Sequence, residues 1–202
     1  MNLVNDELKI AIKEELLKHH QNYELPVISE YWENLFANAV KTVEGYSDWK
    51  PNRSHAVGKD QNCTIYGQTF RVSNKSGKYN PTKRTLQISG SRSGKYKTLE
   101  EKLQFLSDKQ EDVYVCLATS TDKNATGEYY LFTFDTELLN YAEADWQPKY
   151  DREGNQNGWQ CETEHYKATI RNSMSDQLWT TIKLEATNIE PEVIKIDSIT
   201  SG

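Results

Sequence analysis

Apolar positions along the chain follow two rhythms. Within residues 5–20, Leu8, Ile12 and Leu16 recur at helical spacing, and this segment is expected to serve as an N-terminal arm or dimerisation element rather than as core. After Pro26 a stronger helical stripe runs through Val27, Tyr31, Leu35 and Ala39. It is widened into a broad apolar face by Ile28, Trp32, Phe36, Val40 and Val43, with Glu30 and Glu33 on its polar edge. Gly45 ends the helix, and WKPNRSHAVGK reads as an irregular link.

From residue 60 the rhythm changes to alternation. In DQNCTIYGQTFRVSNK the glycine at the first central position of Tyr66-Gly67-Gln68-Thr69 predicts a type II′ hairpin, in which residues whose numbers add to 135 lie opposite one another. Cys63, Ile65, Phe70 and Val72 then share a core face. Asp60, Asn62, Thr64, Arg71, Ser73 and Lys75 share a polar face, with Asp60 directly opposite Lys75. An ordinary solvated hairpin with a cross-strand ion pair explains this pattern as readily as a site does.

SGKYNPTK follows as a loop, RTLQIS as a strand and SGSRSGKYK as a second loop. Thr98-Leu99-Glu100-Glu101 opens a helix with a capping box, and Leu99, Leu103 and Leu106 form its buried stripe. DVYVCLAT is the most continuous apolar run, predicting a strand buried on both faces, and EYYLFTF pairs with it. DTELLNYA reads as a short helix capped by Asp135 or Thr136, and residues 148–160 as loop. HYKATI and EVIKI read as strands around the polar knot RNSMSDQ and an apolar patch at Leu178-Trp179. The sum is a single α/β domain over residues 1–202, with helices around a mixed central sheet.

Composition narrows the class without fixing it. At 36% hydrophobic and 27% charged the chain has a globular composition, no apolar run approaches a membrane span, and residues 1–18 lack a signal-peptide core, so a cytoplasmic location is expected. Three separated cysteines and four scattered histidines form no disulfide framework or zinc spacing. Net charge is −6, yet residues 71–97 carry Arg71, Lys75, Lys78, Lys83, Arg84, Arg92, Lys95 and Lys97 with no acid among them. A basic stripe on an acidic chain is the footprint of a polyanion-binding cleft, or else a solvated basic loop.

Two familiar chemistries fail on spacing. Gly90-Ser91-Arg92-Ser93-Gly94-Lys95 has three residues between its glycines and Tyr96 after the lysine, which rules out a phosphate-binding P-loop, and no GxSxG elbow is present. A metal-dependent phosphodiesterase is better supplied. It needs a carboxylate for a hard Mg²⁺ ion and a cation near the scissile phosphate, and Asp60 facing Lys75, with Asn62 and Ser73 one pleat inward, offers both.

At these residues the chain resembles the PD-(D/E)xK nuclease superfamily, particularly type II restriction endonucleases. In that family an aspartate begins one strand of a hairpin and a D/E-x-K tripeptide ends the next; the matching positions are Asp60 and Ser73-Asn74-Lys75. The resemblance covers roughly residues 26–134 and implies a restriction-endonuclease-like fold, a Mg²⁺ cofactor, double-stranded DNA as substrate and a homodimer. It also implies roles for particular residues. Asp60 binds metal, Ser73 stands at the second acidic position, Lys75 positions the water, and Glu33 or Glu100 supplies the further carboxylate, while Glu101 is accounted for by capping. Asn62, Arg71, Lys78, Lys83, Arg84 and Arg92 are then DNA contacts, Ser89 and Ser91 approach the backbone or base edges, and Asn172, Ser173, Ser175 and Gln177 read the groove. The rival readings are a non-catalytic nucleic-acid-binding module on the same scaffold and an acidic interaction or inhibitor protein.

Overall fold

The longest strand of the molecule has three different neighbours, and the sheet is built outward from it. The computed structural model describes residues 3–24, 26–49, 61–65, 67–108, 111–122, 125, 127–173 and 175–196, with backbone alone for residues 29, 30, 48 and 49. Helices α1 (Asp6–Asn22) and α2 (Ser29–Thr42) precede strands β1 (Tyr46–Trp49), β2 (Gln61–Ile65), β3 (Gln68–Asn80) and β4 (Thr85–Arg92). Helix α3 (Leu99–Ser107) leads to β5 (Val113–Ser120), β6 (Glu128–Asp135) and a 3₁₀ turn at Thr136–Leu139. Strands β7 (Gln147–Tyr150), β8 (Gln156–Glu162), β9 (Tyr166–Arg171), β10 (Gln177–Lys183) and β11 (Glu192–Lys195) complete the chain.

The eleven strands of the described residues form one mixed sheet, ordered β11-β6-β5-β3-β4-β10-β9-β8-β7, with the β1–β2 pair attached to β3. The crossover through α3 makes β5 parallel to β3, with Ser73 beside Tyr114 and Lys75 beside Cys116, whereas β4 and β6 run antiparallel to their neighbours. Gly77 admits β4, because a Cβ there would stand 2.6 Å from the Gln87 carbonyl oxygen.

Each face of the sheet has its own core. On one, α1 and α2 cover Cys63, Val72, Val115, Leu117 and Leu131. The Trp32 indole N–H donates to the Val115 carbonyl at 3.2 Å, and the Tyr129 hydroxyl accepts the Val27 N–H at 3.1 Å, which fixes the start of α2. On the other face, side chains of β3 to β6 and β8 to β10 meet α3 and the segment carrying Tyr141 and Trp146. The capping box of α3 is formed as expected, with Thr98 Oγ1 accepting from the Glu101 N–H and the Glu101 carboxylate accepting from Thr98. Among the described residues no helix is long and apolar enough to cross a membrane.

Several expectations change. Helix α1 is not an arm, since Leu8, Ile12 and Leu16 are fully buried against α2 and the sheet. The hairpin register is also different. Thr64 faces Thr69, Asn62 faces Arg71 and Ile65 faces Gln68, so paired numbers add to 133, and Gly67 has φ +86°. Gly67 therefore directly precedes Gln68 at the start of β3 instead of opening the turn, and the register used to set Asp60 opposite Lys75 is not the one formed, while Asp60 itself lies outside the described residues. The predicted loops at residues 76–80, 90–92, 148–150 and 156–160 are strand, as is the patch around Leu178-Trp179. The Thr136–Leu139 turn has no side-chain cap.

Truncating Ile12 or Leu16 to alanine is expected to lower unfolding stability by about 2–5 kcal/mol, because each leaves a cavity between α1 and the sheet. Chemical denaturation measures it, and an unchanged midpoint would return α1 to the status of an appended arm.

Candidate functional site

The polar side chains of β3 collect where its ladder with β2, which ends at Val72, gives way to its ladder with β4, which begins at Gly77. Alternation puts Arg71, Ser73 and Lys75 on the face of the second core, and parallel pairing brings Tyr114 and Cys116 beside them. Ser73 is 1% exposed, and the Lys75 ammonium donates to its hydroxyl at 2.6 Å while lying 5.5 Å from the centre of the Tyr114 ring. The lysine is thus held by a hydroxyl that contributes a hydrogen bond but no charge and by a ring whose face attracts cations. Cys116 is fully buried, and that burial raises its thiol far above the ordinary range despite the nearby Lys75, so it serves as a neutral packing group.

One rung away lies an ion pair that the sequence pattern did not reveal. The Arg71 guanidinium forks onto the Asp112 carboxylate through Nε, at 3.1 and 3.2 Å, and through Nη2, and the Arg71 N–H donates to the same carboxylate at 2.7 Å. These hydrogen bonds hold the Asp112 carboxyl below its ordinary range and raise Arg71. Arg71 therefore fastens β3 to the entry of β5. Behind Tyr114 a cavity of about 520 Å³ opens on the same side of the sheet, with Glu111 and Glu137 in its wall.

The other expected site residues spread over the molecule. Asp60 lies outside the described residues. Asn62 shares the face of Arg71, and its Oδ1 is buried with no hydrogen-bond partner among the described residues. Glu33 is half-buried on α2, which packs on the opposite face of the sheet from Lys75, and Glu100 is exposed in the first turn of α3. Among the described residues no group of three or more His, Cys, Asp or Glu side chains could hold a metal ion. The oxygen donors described beside Lys75 are too few to make a Mg²⁺ ligand set by themselves.

Of the basic stripe, Lys78 donates to Thr119 Oγ1 at 2.7 Å and Arg84 pairs with Glu190 at 2.6 Å, while Lys83 is exposed in the β3–β4 turn. Two polar segments distant in sequence do come together. The Gly94 and Ser93 N–H groups donate to the Ser175 and Asp176 carbonyls at 3.0 and 3.2 Å, so the end of β4 is clamped to the β9–β10 turn that carries Asn172, Ser173 and Ser175. The buried Lys102 of α3 secures the junction, at 3.2 Å from the Asp176 carboxylate and bonded to the Tyr96 carbonyl. Ser89, Arg92 and Gln177 lie on the paired ends of β4 and β10, with Ser91 at the irregularity between their two registers.

Asp112 and Tyr114 are the site residues the sequence reading missed. Only the parallel β3–β5 register places them beside Arg71 and Ser73. No family model matches the chain, and no curated protein matches its sequence.

Asp112 should make stability sensitive to acid. Its folded pKa is depressed, so its contribution is complete above the ordinary aspartate value of about 4 and is lost as pH falls through the lower folded value. Asp112→Asn is expected to flatten the dependence of the urea midpoint on pH below that value. Parallel profiles for variant and wild type would remove Asp112 from this role.

Proposed function

We propose that the chain is a Mg²⁺-dependent, site-specific DNA endonuclease of restriction type, acting as a homodimer and leaving 5′-phosphate ends. The observation that supports it most directly is the Lys75 ammonium fixed by Ser73 and Tyr114 at the end of a Ser-x-Lys tripeptide. A lysine held this way can orient a water molecule and stabilise charge gathering on the non-bridging phosphate oxygens. The water oxygen forms a new bond to phosphorus, the bond from phosphorus to O3′ breaks, and the departing oxygen takes up a proton. Asp60 and Ser73 are the residues assigned to Mg²⁺, with Glu100 the remaining candidate for a further carboxylate because Glu33 lies over the opposite face of the sheet; the ion when bound would supply further neutralisation of the phosphate.

The remaining parts of the reading have narrower support. Lys78, Lys83, Arg84 and Arg92 are assigned to phosphates, and the paired ends of β4 and β10 with the β9–β10 turn, bearing Ser89, Ser91, Gln177, Asn172, Ser173 and Ser175, to base edges. Arg71 acts by holding β3 against β5, given its fork onto Asp112. Exposed Tyr23, Ile28 and Tyr31 form an apolar patch at the junction of α1 and α2, and a second copy of the chain would bury it.

Incubation of the purified protein with a complex DNA and Mg²⁺ should yield discrete fragment ends. Lys75→Ala should reduce that cleavage by about 10²-fold or more while leaving the thermal midpoint near that of wild type. Equal cutting by Lys75→Ala would sink the proposal. Salt-dependent retention of DNA without cleavage, indifferent to Mg²⁺ and to Asp60→Ala, would favour a binding module instead.

A further inference from the structure

The α1–α2 layer covers only half of the face it packs on. It lies over β2, β3, β5, β6 and β11, whereas on the same face of β4, β10, β9 and β8 the side chains are half-exposed or exposed, alternating with buried ones. No helix of the described residues packs there. Cross-strand pairing arranges this open surface in rows. Ser89, Trp179, Thr169 and Gln160 stand side by side, and next to them run Gln87, Thr181 and Lys167, with Lys78 opposite Gln87.

The third row exists because of a β-bulge. Trp179 pairs with Ser89, but Gln177 pairs with Arg92, so β4 carries one extra residue opposite Leu178. Without it, alternation would turn Arg92 to the same side as Leu86 and Ile88, into the core. The bulge re-aims the arginine onto the open face, level with Gln177 and Arg171. Gly90 makes this possible, since a Cβ there would meet the Leu178 side chain at 2.8 Å.

Trp179 is the anomaly on this surface. Its neighbours on β10, Leu178 and Thr180, point into the second core, while the indole lies on the opposite side. Its Nε1 is buried with no hydrogen-bond partner among the described residues, and the Arg171 guanidinium stands 6.0 Å from the ring centre. The flanking side chains are hydroxyls and amides. An aromatic anchor for a protein partner sits in an apolar, desolvated surround, which this one lacks.

The charge on the face is positive although the chain is acidic. Lys78, Arg92, Lys167, Arg171 and Lys183 lie on it, and Glu162 is the acid among them, bridging Lys167 at 3.4 Å and Lys183 at 2.8 Å. A ring that can stack, polar groups that can meet base edges, and cations on β3 and β4 to one side and on β9 to the other match a polyanion whose bases are unpaired. A duplex keeps its bases stacked inside and offers this ring nothing. From β3 to β8 the surface is about 19 Å wide at a strand spacing of about 4.8 Å, enough for a few nucleotides.

We infer that the open face of β4, β10, β9 and β8 binds single-stranded nucleic acid, with a base stacked on Trp179 and the backbone held by Arg92 and Arg171. The inference does not depend on the hydrolytic reading, whose lysine lies on the other face of the sheet.

The test is fluorescence anisotropy of a labelled oligodeoxythymidine of about ten nucleotides with the full chain in EDTA, where cleavage requiring a divalent ion cannot intervene. Trp179→Ala should weaken binding about tenfold or more, Trp179→Phe should keep most of it, and Arg92→Ala should lower its salt dependence. Ser89→Asp puts a negative charge beside the ring at a surface position and should weaken binding comparably. It decides the matter if Trp179→Ala fails to fold. Lys13→Ala, at an exposed position on α1, should bind the oligonucleotide as wild type does. Wild-type affinity in both Trp179→Ala and Ser89→Asp, or a duplex of the same length that loses as much affinity to Trp179→Ala as the oligodeoxythymidine does, would overturn the inference.

Discussion

Burial of β5 on both faces is the constraint from which the rest follows. A strand with Val113, Val115 and Leu117 on one side and Tyr114, Cys116 and Ala118 on the other must have a layer over each. Its parallel partner β3 inherits the same two layers. Polar groups on β3 survive there by finding partners on it or on its neighbours, as Ser73 does with Lys75, Arg71 with Asp112 and Asn74 with Gln61 of β2. The candidate site is therefore a half-buried polar cluster at the centre of a two-core sheet, positioned by the elements that cover its strands.

Charge in this chain has to be counted by surface rather than by segment. The basic stripe of residues 71–97 dissolves on folding, with Arg71 paired to Asp112 at the strand junction and Arg84 to Glu190 beyond the turn. Arg92 leaves the stripe for a different association, joining Arg171 across two intervening ladders. The positive surface that results draws on residues nearly a hundred positions apart. An acidic total charge is compatible with it because the acids concentrate elsewhere, many in α1 and in the segments around residues 135–164.

What could be read from the sequence was set by local physics. The stripe of α2, the Thr98–Glu101 box and the continuous apolar run of β5 are each determined within a few residues, and each formed as the pattern indicated. The α1 stripe was equally plain, but whether a helix docks depends on what faces it, so Leu8 and Leu16 could not declare themselves core. Strands β7, β8 and β10 were hidden because half-exposed antiparallel strands are rich in Gln, Asn, Thr and Lys, the same residues that fill loops. In the candidate site, Ser73 and Lys75 shared a face by simple alternation, as expected. Asp112 and Tyr114 needed a parallel register spanning forty residues, and Arg92 needed a bulge that breaks alternation itself.

The two-residue difference between the expected and observed hairpin registers has a meaning of its own. Strand β3 is anchored by β5 and cannot slide, whereas β2 is anchored chiefly by Cys63 and Ile65 beneath the helices. Because pleating repeats every second residue, β2 can be re-threaded only in even steps; an odd step would expel both anchors into water. A turn that grows or shrinks by two residues would keep the core intact while exchanging the side chain presented to Arg71. The hairpin thus works as an indexed slide, allowing the polar face of β3 to be offered a new partner by changes in loop length alone.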